Sequence, residues 1–369
     1  RLMLDALLAD TGLVVVVTGM LVGTAASLLG AFLILRRNSM LADAISHSIV
    51  LGIVLVWLLT KQQSGPVQLL GAALAGIATV ALTELLARTR KVKDDAAIGL
   101  VFPAMFALGV LLLNLFARDV HVDQHTVLLG EIGFVWLKTM PLLGHDVPQA
   151  LVWLGLVTAI NASFVLLLFK ELKLATFDPA LAHALGFAPG ALFYALLVLT
   201  SVTAVAAFEA VGVVLFVAFV IVPPAAAYLL TDRMHRLLMI SAAVGMVAGA
   251  AGAFLSFLGT NLPTGPFMVL AAGVVFSVAW LFGPRHGVIA RGLRQRQNAV
   301  RTARENTLKA VYRVLEARGF DGGPVSVDEL ARARRETLTE ARRSLRALRG
   351  AGLGSFDEAG DAVRLTEDG

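Results

Sequence analysis

Asp43 and His47 stand four residues apart in the run RNSMLADAISHSIVLGIVLVW, residues 37–57, which is otherwise apolar enough to enter a bilayer. Positions i and i+4 share one face of a helix, and a carboxylate beside an imidazole is a two-ligand half-site for a divalent metal. Ionisable side chains at membrane depth are costly unless they face a cavity or a partner, so by default they mark a transport path. The competing reading is an Asp near a helix start at the membrane surface and a His satisfied inside a helix bundle. Three further groups carry potential chemistry. Asp119, His121, Asp123 and His125 alternate with neutral residues, which puts two carboxylates and two imidazoles in one short segment. They read either as further metal ligands or as a solvated polar loop. Glu209 is the single charge between Ala188 and Thr231; a structural role is favoured over gating or ligation. The segment LATFDPALAHALGFAPG, residues 174–190, opens on an N-cap and first-turn signal at Asp178-Pro179 and offers Gly186 as a C-cap. That spacing predicts a short helix of about two turns, suited to docking another protein, with an ordinary connecting loop as the alternative.

These residues are embedded in a chain that is 57% apolar and 15% charged, with a mean hydropathy of +0.79. Uncharged runs of about 20 residues are long enough to cross a hydrocarbon core. They occur at 12–35, 44–60, 67–83, 96–117, 150–169, 188–208, 210–231, 237–260 and 262–284. The expectation is an all-α polytopic membrane protein of about nine spans, with eight or ten as the alternatives if a segment near Glu209 or Pro223-Pro224 is short or re-entrant. The stretch from Ala188 to Thr231 is too long for one span, so the chain must fold back near Glu209. Arg36/Arg37, Arg88/Arg90/Lys91/Lys93, Lys170/Lys173, Arg233/Arg236 and Arg285 onward fall at alternate span ends. By the positive-inside rule those ends are cytoplasmic, the N-terminus is outside and the C-terminal tail is inside. Glu84 lies four residues before Arg88 and is expected to pair with it along a helix. The first apolar run is too long for the core of a cleavable signal, so none is expected. The chain has no Cys, which excludes disulfides and thiolate ligands and leaves carboxylate, imidazole and backbone oxygen for metals.

Three stretches resemble the integral-membrane permease of metal-ion ABC importers, the manganese/zinc/iron uptake family. They are LLGAFLILRRNSMLADAISHSIVLGI (28–53), the Phe177-Asp178-Pro179…Ala184-Leu185-Gly186 segment, and EAVGVVLFVAFVIVPPAAAYLL (209–230). The resemblance covers residues 10–285 and implies that Asp43 and His47 line the translocation path. It also implies that Phe177–Phe187 is a coupling helix seated in a groove of a cytoplasmic ATPase subunit. Further implied partners are an extracytoplasmic metal-binding protein and a second permease copy. The sequence carries no Gly-x-x-x-x-Gly-Lys-Ser/Thr phosphate loop, so the chain is not expected to be catalytic itself. No permanently bound cofactor is expected. The cargo is a divalent transition metal, with Mn²⁺ favoured and Zn²⁺ or Fe²⁺ as alternatives. Other readings are import of a metal chelate and a membrane-anchored DNA-binding metal sensor. The expected location is the bacterial cytoplasmic membrane.

Residues 285–369 hold 17 of the 31 Lys and Arg and 12 of the 26 Asp and Glu, so the whole net charge of +5 lies there and residues 1–284 are neutral. The expected division is a transmembrane permease domain, 1–284, and a basic cytoplasmic domain, 285–369. The order within the latter is a basic helix at 291–318, a short helix at 327–333, a second ending near Gly350 and a two-strand wing. It is similar to the winged-helix part of metal-dependent iron and manganese repressors at Asp328-Glu329-Leu330-Ala331, Leu348, Gly352-Leu353 and Leu365–Gly369. The fold expected for it is a small α+β winged-helix-like module. Arg342, Arg343, Arg346 and Arg349 would stud its recognition helix as a phosphate-binding face, although anionic lipid attracts the same pattern. A regulatory or protein-interaction role is favoured, and nucleic acid is not an expected partner.

Overall fold

The computed structural model describes residues 10–61, 66–116, 132–142, 145–259, 262–320, 323–350, 352–356 and 362–366. The chain folds as two compact units, Arg1–Gly287 and Val288–Gly369.

The first unit is built from the uncharged runs. In order they form α1 (Thr11–Leu35), α2 (Met40–Thr60), α3 (Pro66–Arg88) and α4 (Asp94–Phe116), then a hairpin of β1 (Thr139–Leu142) and β2 (His145–Pro148). There follow α5 (Gln149–Leu167), α6 (Phe169–Phe177), α7 (Pro179–Ala184), α8 (Pro189–Leu230), α9 (Met234–Ser256) and α10 (Thr264–Phe282). Among the described residues nine helical stretches are long and apolar enough to cross a membrane, two of them within α8. Asp10 starts α1 by accepting from the Gly12 and Leu13 amides at 3.0 and 3.2 Å, which satisfies two of the N–H groups a helix start leaves open. Glu84 and Arg88 pair on α3 as their spacing predicts, Nη2 to Oε1 at 2.6 Å.

The chain folds back inside α8. Gly212 has φ 74 and ψ 173 there, a backbone conformation that costs a residue with a Cβ but not glycine. Neighbours along α1 give the directions of the two limbs. Phe193 lies against Arg36, at one end of α1. Thr203, ten positions on, shares the Asn161 amide with the Ala25 carbonyl. Val220 is packed on Gly30, back towards the Arg36 end. The reversal thus falls three residues beyond Glu209, which belongs to the helical stretch itself.

Close backbone approaches hold the spans together. A Cβ built on Gly23 of α1 would fall on the carbonyl of Gly245 in α9, and one on Gly245 would fall on that of Gly23. The same absence of side chain brings Gly52 of α2 onto Gly71 of α3. Small residues at such crossings permit the dense van der Waals packing that replaces hydrophobic driving force within a bilayer. The core of this unit includes Phe32, Ile45, Ile49, Leu154, Phe216 and Phe219.

The second unit contains α11 (Val288–Ala317), β3 (Val325–Ser326), α12 (Val327–Arg334), α13 (Leu338–Arg349), β4 (Gly354–Phe356) and β5 (Ala362–Leu365). Its three strands are antiparallel in the order β3-β5-β4. Two capping boxes start α12 and α13: Ser326 with Glu329, and Thr337 with Glu340. Val311, Val325, Leu330, Leu345, Leu348 and Val363 fill the core between helices and sheet. Arg342, Arg343 and Arg346 are exposed on α13; the side chain of Arg349 lies outside the described residues.

Candidate metal path and docking helix

Asp43 lies in the first turn of α2, where the helix dipole favours a carboxylate, and His47 follows one turn later. The flanking positions Ala42, Ala44, Ile45, Ser46, Ser48 and Ile49 are buried, while the Asp43 and His47 side chains each keep 32% exposure. The hydroxyls of Ser46 and Ser48 donate to the Ala42 and Ile45 carbonyls, so α2 offers its carboxylate and imidazole as the open donors on this face. His47 Nε2 stands 3.4 Å from Asp43 Oδ1. Two donors about 2.0–2.2 Å from one cation lie about 2.8–3.6 Å apart, for ligand angles from octahedral to tetrahedral. The observed separation therefore suits one shared ion. Among the described residues no group of three or more His, Cys, Asp or Glu forms, so this is a half-site.

Two rings from α4 complete its wall. Phe102 stacks on the His47 imidazole, with centroids 5.7 Å apart and planes 27° apart. Phe106, one turn on, meets it edge-on at 5.9 Å. Aromatic pairs at these distances restrict each other's orientation. Neither ring was suggested by the sequence, because an i, i+4 Phe pair in an apolar span carries no mark that separates it from lipid-facing bulk.

Asp119, His121, Asp123 and His125 lie outside the described residues. Glu209 falls within α8, and its side chain lies outside the described residues.

The predicted short helix is α7. Asp178 Oδ1 accepts from the Leu181 amide at 2.9 Å, and Pro179 occupies the first turn, where its missing N–H costs nothing. At the other end Gly186 (φ 86) donates to the His183 carbonyl and Phe187 to that of Ala182, both at 3.0 Å. This is the paired closure that requires a left-handed residue after the helix. Phe177 differs from expectation: it is the last residue of α6, a separate helix begun when Leu168 breaks the α5 backbone at φ −104, ψ 23. Phe177, Leu181, Leu185 and Phe187 are all exposed, an apolar edge that the described residues leave open.

Arg36, at the end of α1, touches the segments on either side of this helix. Its Nη2 donates to the Ala175 carbonyl at 2.5 Å and its guanidinium lies 4.6 Å from the Phe193 ring centroid.

The ABC 3 transport family matches this chain over residues 10–283. The chain belongs to that family. It is 43% identical over 282 residues to the zinc transport system membrane protein TroD of Treponema pallidum, covering 76% of this chain and 77% of that protein. It is 42% identical over 281 residues to the manganese transport system membrane protein MntD of Bacillus subtilis, covering 76% and 95%. Among solved structures, PsaBC from Streptococcus pneumoniae in complex with Fab aligns with a TM-score of 0.65 at 27% identity, covering 79% of this chain and 98% of that one. As a member of the ABC 3 transport family the chain is a multi-pass membrane protein, and the matched region ends within five residues of the boundary between its two units.

Proposed function

We propose that this chain is the permease subunit of an ATP-driven importer that moves a divalent transition metal, Mn²⁺ first and Zn²⁺ as the nearest competitor. The observation that carries the reading is the Asp43–His47 pair at 3.4 Å, one turn apart on a transmembrane helix. A permeating cation needs its hydration replaced by a few donors that hold it weakly enough to release it. One carboxylate and one imidazole per copy, doubled in a homodimer, provide four such donors. In the same scheme Asp119, His121, Asp123 and His125 would complete the metal site or form its outer vestibule, and Glu209 would have a structural role.

Energy comes from a separate ATPase subunit, which takes the exposed apolar edge of Phe177, Leu181, Leu185 and Phe187. An extracytoplasmic metal-binding protein delivers the ion to the opposite end. The basic span ends favour the Arg36 end as cytoplasmic, with the N-terminus outside and the tail inside. Residues 1–284 are the permease domain and 285–369 a winged-helix module with a regulatory or docking role. Support for the latter is the order helix, strand, helix, helix, hairpin, with sheet order β3-β5-β4.

The test is uptake of radioactive Mn²⁺, with Zn²⁺ as competitor, into proteoliposomes holding the permease and its ATPase. Asp43→Asn and His47→Ala should abolish uptake while the ATPase still co-purifies. Undiminished uptake in both variants would remove the pair from the path.

A further inference from the structure

We propose that Arg36 is the positioning residue that transmits movement of the ATPase-docking helix α7 to the metal pair on α2. The inference rests on the permease reading and adds to it the mechanical link between its two working parts.

The carbonyl of Ala175 has no ordinary helical donor. In a helix it would accept from the amide four residues on, but that residue is Pro179, which has no N–H. α6 therefore ends with an open acceptor three residues before Asp178, the cap of α7. Arg36 fills it at 2.5 Å, from 139 positions away in sequence. A cation at a helix C-terminus also meets the negative end of the dipole. The guanidinium carbon lies over the Phe193 ring at 4.6 Å from its centroid, near the start of α8, the segment that leaves α7. One side chain thus holds the chain both before and after the docking helix. Burial lowers the Arg36 pKa from its ordinary value, so these contacts offset a desolvation cost.

On its other side Arg36 is joined stiffly to α2. Its amide closes α1 on the Phe32 carbonyl, Arg37 and Asn38 donate to Ile34 and Leu33, and Leu41 and Ala42 donate to Asn38 and Ser39. Through Asn38, which donates to Leu33 and accepts from Leu41, hydrogen bonds lead from the end of α1 into the turn that carries Asp43. A connector of this kind passes displacement on and does not absorb it. Beside the clamp lies an open cleft of about 470 Å³ lined by Arg36, Arg37, Asn38, Thr176, Pro179 and Phe193, which gives the docking helix room to move relative to the turn. Positioning of this kind calls for Arg: a Lys supplies a point charge that can hold the carbonyl or the ring but not the fixed geometry of both.

The test uses the complete permease–ATPase complex in proteoliposomes, with metal uptake and ATP hydrolysis measured together. Arg36→Met keeps the stem and loses donor and charge. It should assemble and hydrolyse ATP while the metal transported per ATP falls by about tenfold, the scale of a lost hydrogen bond to a charged group. Arg36→Lys should be intermediate, and Phe193→Leu should lower the ratio roughly threefold. An unchanged ratio in Arg36→Met overturns the proposal. So does failure of every Arg36 variant, Lys included, to insert, since that marks a folding element. A second readout does not use metal: hydrogen exchange at Asn38–Asp43 should change when the wild-type complex is trapped with ATP and vanadate, and should stop changing in Arg36→Met. Persistence of that change overturns the clamp even if the wild type moves no divalent metal, an outcome that would itself overturn the permease reading.

Discussion

The imidazole of His47 lies against the Phe102 ring, 5.7 Å between centroids, while its Nε2 faces Asp43 at 3.4 Å. One face of the imidazole is thus packed on an apolar ring from another helix, which limits the tilt of the imidazole plane. Phe102→Ala should free the ring and weaken half-saturation of Mn²⁺ uptake by about three- to tenfold, the range that a buried aromatic contact spans. Maximal rate should change less. The concentration dependence of uptake in proteoliposomes checks this, and an unaltered curve would detach the aromatic pair from the path.

Gly186 has φ 86, and nothing lies within 4 Å of where its Cβ would stand. Substitution there meets a backbone penalty and no clash, of roughly 1–2 kcal/mol for a residue forced into the left-handed region. Retention of the ATPase during purification should follow the order Gly, Asn, Ala, Val, since Asn tolerates this conformation and a β-branched residue does not. A Gly186→Val protein that retains its ATPase and transports normally would show that the closure of α7 does not shape the docking surface.

Much of this architecture can be read from residues alone, and the exceptions have physical causes. Charge-free runs mark the spans because a bilayer excludes charge over about 20 residues, whatever the neighbours. The fold-back was expected near Glu209 because a charge interrupts the apolar run there; it falls at Gly212, since the backbone needs a residue without Cβ more than it needs a polar one. The Asp43–His47 pair follows from helical period. Phe102, Phe106 and Arg36 could not be found that way. Their contacts join helices far apart in sequence, and neither a Phe in an apolar span nor an Arg at a span end departs from the ordinary. The signal that existed for Arg36 was indirect: Pro179 deprives the Ala175 carbonyl of its donor, and something had to supply one. The β1–β2 hairpin was also missed, because Pro141 and Pro148 read as loop residues, although Pro is tolerated in a two-stranded edge pair.

Glu340 closes the capping box of α13, and its pKa is lowered chiefly by the Thr337 amide and then by the Thr337 hydroxyl, with the Arg343 charge adding to them. A carboxylate with a depressed folded pKa stabilises the fold above its unfolded pKa, and that contribution is lost as pH falls through the folded value. Glu340→Gln should therefore reduce hydrogen-exchange protection of Leu338–Arg349 at neutral pH. The difference from wild type should begin to shrink as pH falls below the ordinary glutamate value of about 4.3 and vanish once pH is below the lowered folded value. A difference that persists unchanged in acid would assign the effect to side-chain shape.

Where Gly23 meets Gly245 and Gly52 meets Gly71, backbone lies on backbone with no side chain between. A side-chain layer can slip by changing rotamers; a carbonyl seated on a glycine cannot. These contacts tie α1 to α9 and α2 to α3, as Gly30 of α1 on the Val220 carbonyl ties α1 to α8, and the short turn from Arg36 to Ser39 carries α1 into α2. Asp43 and His47 both ride on α2, immediately after that turn. Movement passed through that turn carries the two side chains as a single jaw, with their spacing preserved, and alters what stands opposite them. On the proposed reading the cycle would resemble a fixed pair of tongs presented first to one side and then to the other, and release of the ion would come from the loss of opposing donors while the tongs themselves stay closed.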